Sequence, residues 1–88
     1  MKREEVLEVI TEMLTSIRTV NQEALKEISE ESDFIADLGL PSTDLINVIA
    51  QAEEKFDIEF DDDDVDMLGS KVSDTIDLVI KTLEKQLS

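Results

Sequence analysis

Leu38-Gly39-Leu40-Pro41-Ser42-Thr43-Asp44-Leu45-Ile46-Asn47-Val48-Ile49-Ala50-Gln51-Ala52-Glu53-Glu54-Lys55-Phe56-Asp57 is the stretch from which the fold is read. Gly39 interrupts what precedes it, and Pro41 confines Leu40 to an extended backbone. Beyond the proline, Leu45, Val48, Ile49, Ala52 and Phe56 recur at helical spacing. Ser42 therefore stands at a corner where a loop becomes a helix. Backbone N–H groups there lack intrahelical partners and the helix dipole is positive, so an anion attached to Ser42 would be well placed. Two readings of Ser42 stay open on these grounds. It is an N-cap, as serine commonly is ahead of an apolar-periodic run, or it is an attachment point for a phosphorylated group. The two are compatible.

Outward from this segment, Lys2 to about Arg18 reads as an amphipathic helix. Val6, Val9, Ile10, Met13, Leu14 and Ile17 form its apolar stripe, with Glu4, Glu5, Glu8 and Glu12 off it. An acidic polar face argues for core packing rather than a membrane-surface role. Thr19 to Leu40 reads as a long connection without sustained period, pinned by Leu25, Ile28, Phe34, Ile35 and Leu38. After an extended link from Asp57 to Phe60, Asp61-Asp62-Asp63-Asp64 invites a calcium reading. An EF-hand loop starting at Asp62 puts Met67 where glycine belongs and Ser73 where glutamate belongs, so the motif fails. The aspartates instead open a short helix, suited to its positive end, with Val65 and Leu68 turned inward. Gly69-Ser70 breaks the chain. Val72, Ile76, Val79, Ile80, Leu83 and Leu87 then space out a final helix, with Ser73 a candidate cap and Lys81 and Lys85 toward its end. The expected architecture is all-α: one domain over residues 1–88, a small four-helix bundle of three longer helices and one short one.

Composition narrows the function. The chain has 88 residues, neither His nor Cys, and 8 basic against 23 acidic side chains, a formal charge of −15. The commonest general base and the strongest nucleophile are missing, and His/Cys metal sites are excluded. Isolated catalysis is not expected, nor is a metal site. Such charge repels nucleic acid and anionic membranes and steers the protein toward basic patches on partners. No apolar run approaches membrane-spanning length and no signal peptide is read, so a cytoplasmic, monomeric protein is the expectation.

The run Phe34-Ile35-Ala36-Asp37-Leu38-Gly39-Leu40-Pro41-Ser42-Thr43-Asp44-Leu45, continued through Glu53-Glu54-Lys55-Phe56-Asp57, resembles the acyl carrier proteins. That family has a D-L-G-x-D-S-L-D core followed by E-E-x-F-D. Asp37, Leu38, Gly39, Ser42, Asp44, Glu53, Glu54, Phe56 and Asp57 match it residue by residue. The resemblance implies that a phosphopantetheinyl transferase, with Mg²⁺, moves 4′-phosphopantetheine from coenzyme A onto Ser42. Acyl-transfer and synthase enzymes with basic docking patches then load and unload the arm's thiol, in fatty-acid, polyketide or other specialised pathways. It further implies a docking face of Asp44, Asn47, Gln51, Glu53, Glu54 and Asp57. By the same resemblance Phe34, Ile35, Ala52, Phe60, Val65, Leu68 and Thr75 line an acyl pocket, where bulky Phe60 and polar Thr75 would favour short or substituted chains. Pro41, Thr43 and Asn47 replace the family's usual Asp, Leu and Glu, which marks a specialised member. The alternative is an acidic interaction or regulatory module, or a nucleic-acid mimic, with no prosthetic group.

Like charges at this density oppose compaction, and salt screens them within about 10 Å at 0.1 M. The melting temperature is therefore expected to rise with added NaCl, and further with Mg²⁺ at equal ionic strength. Calorimetry across a salt series checks this.

Overall fold

The apolar spacing of the three long segments is realised as three long helices, joined by two short ones. The computed structural model describes residues 1–87, and the placement of Leu87's side chain on its stripe lies outside the described residues. In chain order the helices are α1 (Arg3–Thr15), α2 (Gln22–Leu25), α3 (Ser42–Phe56), α4 (Asp62–Asp66) and α5 (Val72–Leu87). α1 packs on α2, α3 and α5, and α3 packs on α5. Among the described residues there is no strand, only one isolated bridge between Asp33 and Lys71. Val6, Ile10, Leu14, Phe34, Leu38, Val48, Ala52, Val72, Ile76 and Val79 are completely buried at the centre of one core.

α1 begins where Glu5 accepts the N–H of Lys2 at 2.9 Å, a carboxylate folded back over the free end of the helix. It ends at Thr15, short of the expected Arg18. Thr15 Oγ1 and Ser16 Oγ donate to the carbonyls of Glu12 and Met13 at 2.6 and 2.8 Å. The N–H groups of Ser16 and Ile17 bond three residues back, to Met13 and Leu14, so the last turn tightens and stops.

The connection expected between Thr19 and Leu40 contains α2, a helix that was not anticipated. Asn21 Oδ1 accepts the N–H groups of Glu23 and Ala24 at 3.0 and 3.3 Å, an N-cap ahead of four good helix formers. Four residues are too few to show a period. The scattered apolar residues otherwise pin the connection as expected, with Leu25, Phe34, Leu38 and Leu40 buried. Ile35 is the exception and corrects the core assignment: it is 39% exposed. Asp33 Oδ1 accepts the N–H groups of Ile35 and Ala36 at 2.8 and 2.9 Å, curling the backbone into a tight turn. Phe34 and Leu38, four apart, point inward on that turn and Ile35 points out.

Asp33 fastens this loop to the start of α5. Its Oδ2 accepts the Ser70 hydroxyl at 2.7 Å, while its own N–H donates to Asp37 Oδ2 at 2.7 Å. Backbone bonds run alongside: Phe34 N–H to Ser70 O at 2.8 Å, Val72 N–H to Ser32 O and Ser73 N–H to Glu30 O, both at 2.9 Å. The first N–H groups of α5 are thus satisfied by the loop. Ser73 was expected as the cap, but it already lies inside the helix, whose first residue is Val72. The aspartate run opens α4 as expected, with Val65 and Leu68 half-buried against the core.

The turn into α3 requires Gly39 at φ +76°, where nothing crowds a Cβ but an L-residue is strained. Gly39→Ala is expected to lower stability by about 1–2 kcal/mol, read by urea denaturation. The N–H of Ala36, then the hydroxyl of Ser70, hold the Asp33 carboxyl below the usual carboxylate range. Its stabilising contribution is then complete above the unfolded-chain value of about 4, and is lost as pH falls through the lower folded value. Asp33→Ala is expected to destabilise by about 1–2 kcal/mol at neutral pH. In paired titrations the gap from wild type should stay flat from about pH 8 to 5 and close below about 4.

Candidate functional site

Pro41 (φ −63°, ψ 149°) is the last extended residue, and α3 begins at Ser42. This corrects the N-cap reading: the cap position belongs to Pro41, which offers no side-chain hydrogen bond, and its carbonyl accepts the N–H of Asp44 at 3.0 Å. Proline's fixed φ and buried Leu40 set the chain's direction, and the helix starts one residue earlier than a serine cap would require. Ser42 is exposed, and its hydroxyl makes no hydrogen bond among the described residues. The N–H groups of Ser42 and Thr43 open a 15-residue helix with nothing before them to accept.

Asp44, nearest of the acids along α3, is engaged elsewhere. Its Oδ2 accepts the Thr19 hydroxyl at 2.7 Å and its Oδ1 lies 3.5 Å from Asn47 Nδ2. Among the described residues no side chain is hydrogen-bonded to the Ser42 hydroxyl to take its proton. Activation of that hydroxyl would have to come from a bound enzyme.

The six residues expected on a docking face divide into two groups. Asp44, Asn47, Gln51 and Glu54 line one shallow surface depression of about 310 Å³, together with Ile17 and Ala50. Two carboxylates thus flank two amides along the outer face of α3. Glu53 turns the other way: its Oε2 accepts the N–H of Phe60 at 2.9 Å and its backbone carbonyl accepts the N–H groups of Asp57 and Ile58. It locks the link after α3 rather than facing out. Asp57 is the left-handed residue closing α3 (φ 54°, ψ 51°), and its carbonyl accepts from Gln86 Nε2 at 3.4 Å. It shares a different depression with Ile58, Glu59 and Gln86. Ile46, one turn from Ser42, is 68% exposed, and Met67 after α4 is 87% exposed. Neither had been singled out. Ile46 falls off the stripe of α3, and that mismatch was the available signal.

Of the expected pocket residues, Phe34, Ala52 and Phe60 belong to the buried core, Val65 and Leu68 pack against it, and Thr75 is fully buried on α5. Ile35 lies outside this set, on the surface. Apart from Phe34, Phe56, Phe60, Met13 and the threonines Thr75 and Thr82, the buried side chains are aliphatic. Contacts of this kind are non-directional and tolerate rearrangement around an apolar guest. Asp64 of α4 and Asp61 just ahead of it pair with α5: Lys81 Nζ lies 3.3 Å from Asp64 Oδ1, and Lys85 Nζ lies 3.2 Å from Asp61 Oδ2. Among the described residues no group of three carboxylates is arranged to hold a metal ion, and no helix is long and apolar enough to cross a membrane.

Residues 11–79 match the profile of a family described as "Phosphopantetheine attachment site". A protein named "Acyl carrier protein" from Coprothermobacter proteolyticus is 32% identical over 83 residues, covering 94% of this chain and 96% of that one. Another of that name, from Chlorobium phaeovibrioides, is 31% identical over 81 residues, covering 92% and 99%. "Acyl carrier protein, mitochondrial" from Neurospora crassa is 39% identical over 70 residues, 80% of this chain, which spans only 51% of that relative.

Proposed function

This chain belongs to the phosphopantetheine-attachment family of acyl carrier proteins, and we propose that Ser42 bears its arm and that the outer face of α3 docks its partners. The family's proteins are carriers rather than enzymes, and they work with transferases and synthases. When bound, 4′-phosphopantetheine supplies a terminal thiol that holds acyl groups as thioesters. The residues present fit that group. The observation that carries the reading is the Ser42 hydroxyl: exposed, free of hydrogen bonds, and at the first position of α3.

Each part of the chain has a physical task in this reading. Ser42 offers an unencumbered nucleophile to an incoming transferase, which must supply the base because His and Cys are absent and Asp44 is held by Thr19. The open N–H groups and the positive end of α3 favour the phosphodiester's charge there. Thr19 donating to Asp44 draws off part of the negative charge that would otherwise repel it. Asp44 and Glu54 meet basic side chains around a partner's active-site mouth, while Asn47 and Gln51 add neutral hydrogen bonds and exposed Ile46 adds an apolar contact. Such charge pairing raises association rates and sets orientation more than it adds affinity. With two amides among the four side chains, this face selects partners of lower positive charge than an all-carboxylate face would. Phe34, Ala52, Phe60, Val65, Leu68 and Thr75 shelter the acyl chain between visits. The geometry favours no arm-free alternative.

Intact-mass measurement tests the assignment. Incubation with coenzyme A, Mg²⁺ and a panel of phosphopantetheinyl transferases is expected to add the mass of the arm to wild type and nothing to Ser42→Ala. A wild-type chain left unmodified by every transferase, or a Ser42→Ala chain still modified, would overturn it.

A further inference from the structure

Thr11 and Thr82 lie inside long helices, and each hydroxyl donates to the carbonyl four residues back, Leu7 and Leu78, at 2.8 Å. Thr75 does not. It is completely buried, and its Oγ1 has no hydrogen-bond partner, the one such buried side-chain atom among the described residues. Four residues back is Lys71, whose carbonyl takes the N–H of Asp74 at 3.1 Å. On α5, Thr75 shares a face with Val72 and Val79, both completely buried. A hydroxyl enclosed by such side chains, with no protein group to bond, is costly to bury.

We propose that the Thr75 hydroxyl is the partner reserved for an oxygen on the carried chain, so that the cargo of this protein is a hydroxy- or oxo-acyl group rather than a saturated one. The inference rests on the carrier reading above and names the class of group carried. A threonine hydroxyl donates to an oxo oxygen and both donates to and accepts from a hydroxyl. A saturated chain entering the same interior leaves Thr75 as it is, unpaired. Discrimination of this type is steep in one direction: a buried polar group that a ligand fails to satisfy penalises that ligand more than a missing methylene does. Valine has nearly the same shape as threonine and would line the pocket without that preference.

The full chain, armed at Ser42, is to be loaded with octanoyl, β-hydroxyoctanoyl or β-oxooctanoyl groups, and its melting temperature compared in wild type, Thr75→Val and Thr75→Ser. In wild type the oxygenated chains are expected to raise the melting temperature by about 4 °C more than octanoyl, the shift one hydrogen bond gives a domain of this size. That margin should vanish in Thr75→Val and persist in Thr75→Ser, and unloaded Thr75→Val should melt no lower than unloaded wild type. Equal shifts for all three chains in wild type would overturn the proposal, as would a margin that survives in Thr75→Val. A drop in the melting temperature of unloaded Thr75→Val would also overturn it, by showing that an interior water already satisfies the hydroxyl. Failure of the carrier reading is separately visible, since no arm mass would be gained before any acyl group is offered.

Discussion

The loop from Ser29 to Leu40 has to dispose of its backbone polar groups without a regular element to pair with, and the start of α5 has N–H groups with no helical acceptor. Each solves the other's problem. Ser32 and Glu30 carbonyls take the N–H groups of Val72 and Ser73, and Ser70 returns a carbonyl to Phe34. Asp33 sits at the seam, accepting from Ile35, Ala36 and Ser70 at once. Buried backbone groups must be paired, so this seam is a condition for the fold and not an addition to it. Once it is closed, Phe34, Leu38 and Leu40 face the core, and Gly39 and Pro41 deliver Ser42 to the surface at the head of α3.

The same arrangement explains why the protein has so little chemistry of its own. The exposed Ser42 hydroxyl stands at a helix terminus, and the first carboxylate along that helix, Asp44, is committed to Thr19. What the molecule offers is position: an exposed hydroxyl outside, a largely aliphatic interior beneath, and two carboxylates with two amides along α3. Partners bring the catalysis. On a surface of formal charge −15, Ile46 and Met67 are places where large apolar side chains break through.

The long helices were legible because Val6, Ile10 and Leu14, or Val72, Ile76 and Val79, repeat often enough for a period to register. α2 was not, since four residues hold barely one turn, although Asn21 was there to be read as a cap. Ser42 was recognised as the corner residue, yet its capping role failed because Pro41 holds the extended conformation that a cap needs. The sense of individual side chains was harder still. Ile35 and Phe34 are adjacent and both apolar, and only the turn built by Asp33 decides which goes inside. Glu53 and Glu54 are chemically identical neighbours. One faces the depression on α3, and the other holds Phe60, because consecutive residues on a helix point about 100° apart. Burial of an unpaired hydroxyl at Thr75 could not be read from a chain at all, since it depends on what the other helices bring to it.

α4 stands apart from its neighbours in how it is secured. Its five residues include no completely enclosed side chain, and two lysines reaching across from α5 are its polar moorings, both more than half open to solvent. Exposed ion pairs of that kind hold little. Val65 and Leu68, partly buried against the core, are therefore held at this corner by weaker polar ties than the loop fastened at Asp33 has. Added salt weakens these two exposed pairs while it relieves the like-charge repulsion across the rest of the molecule.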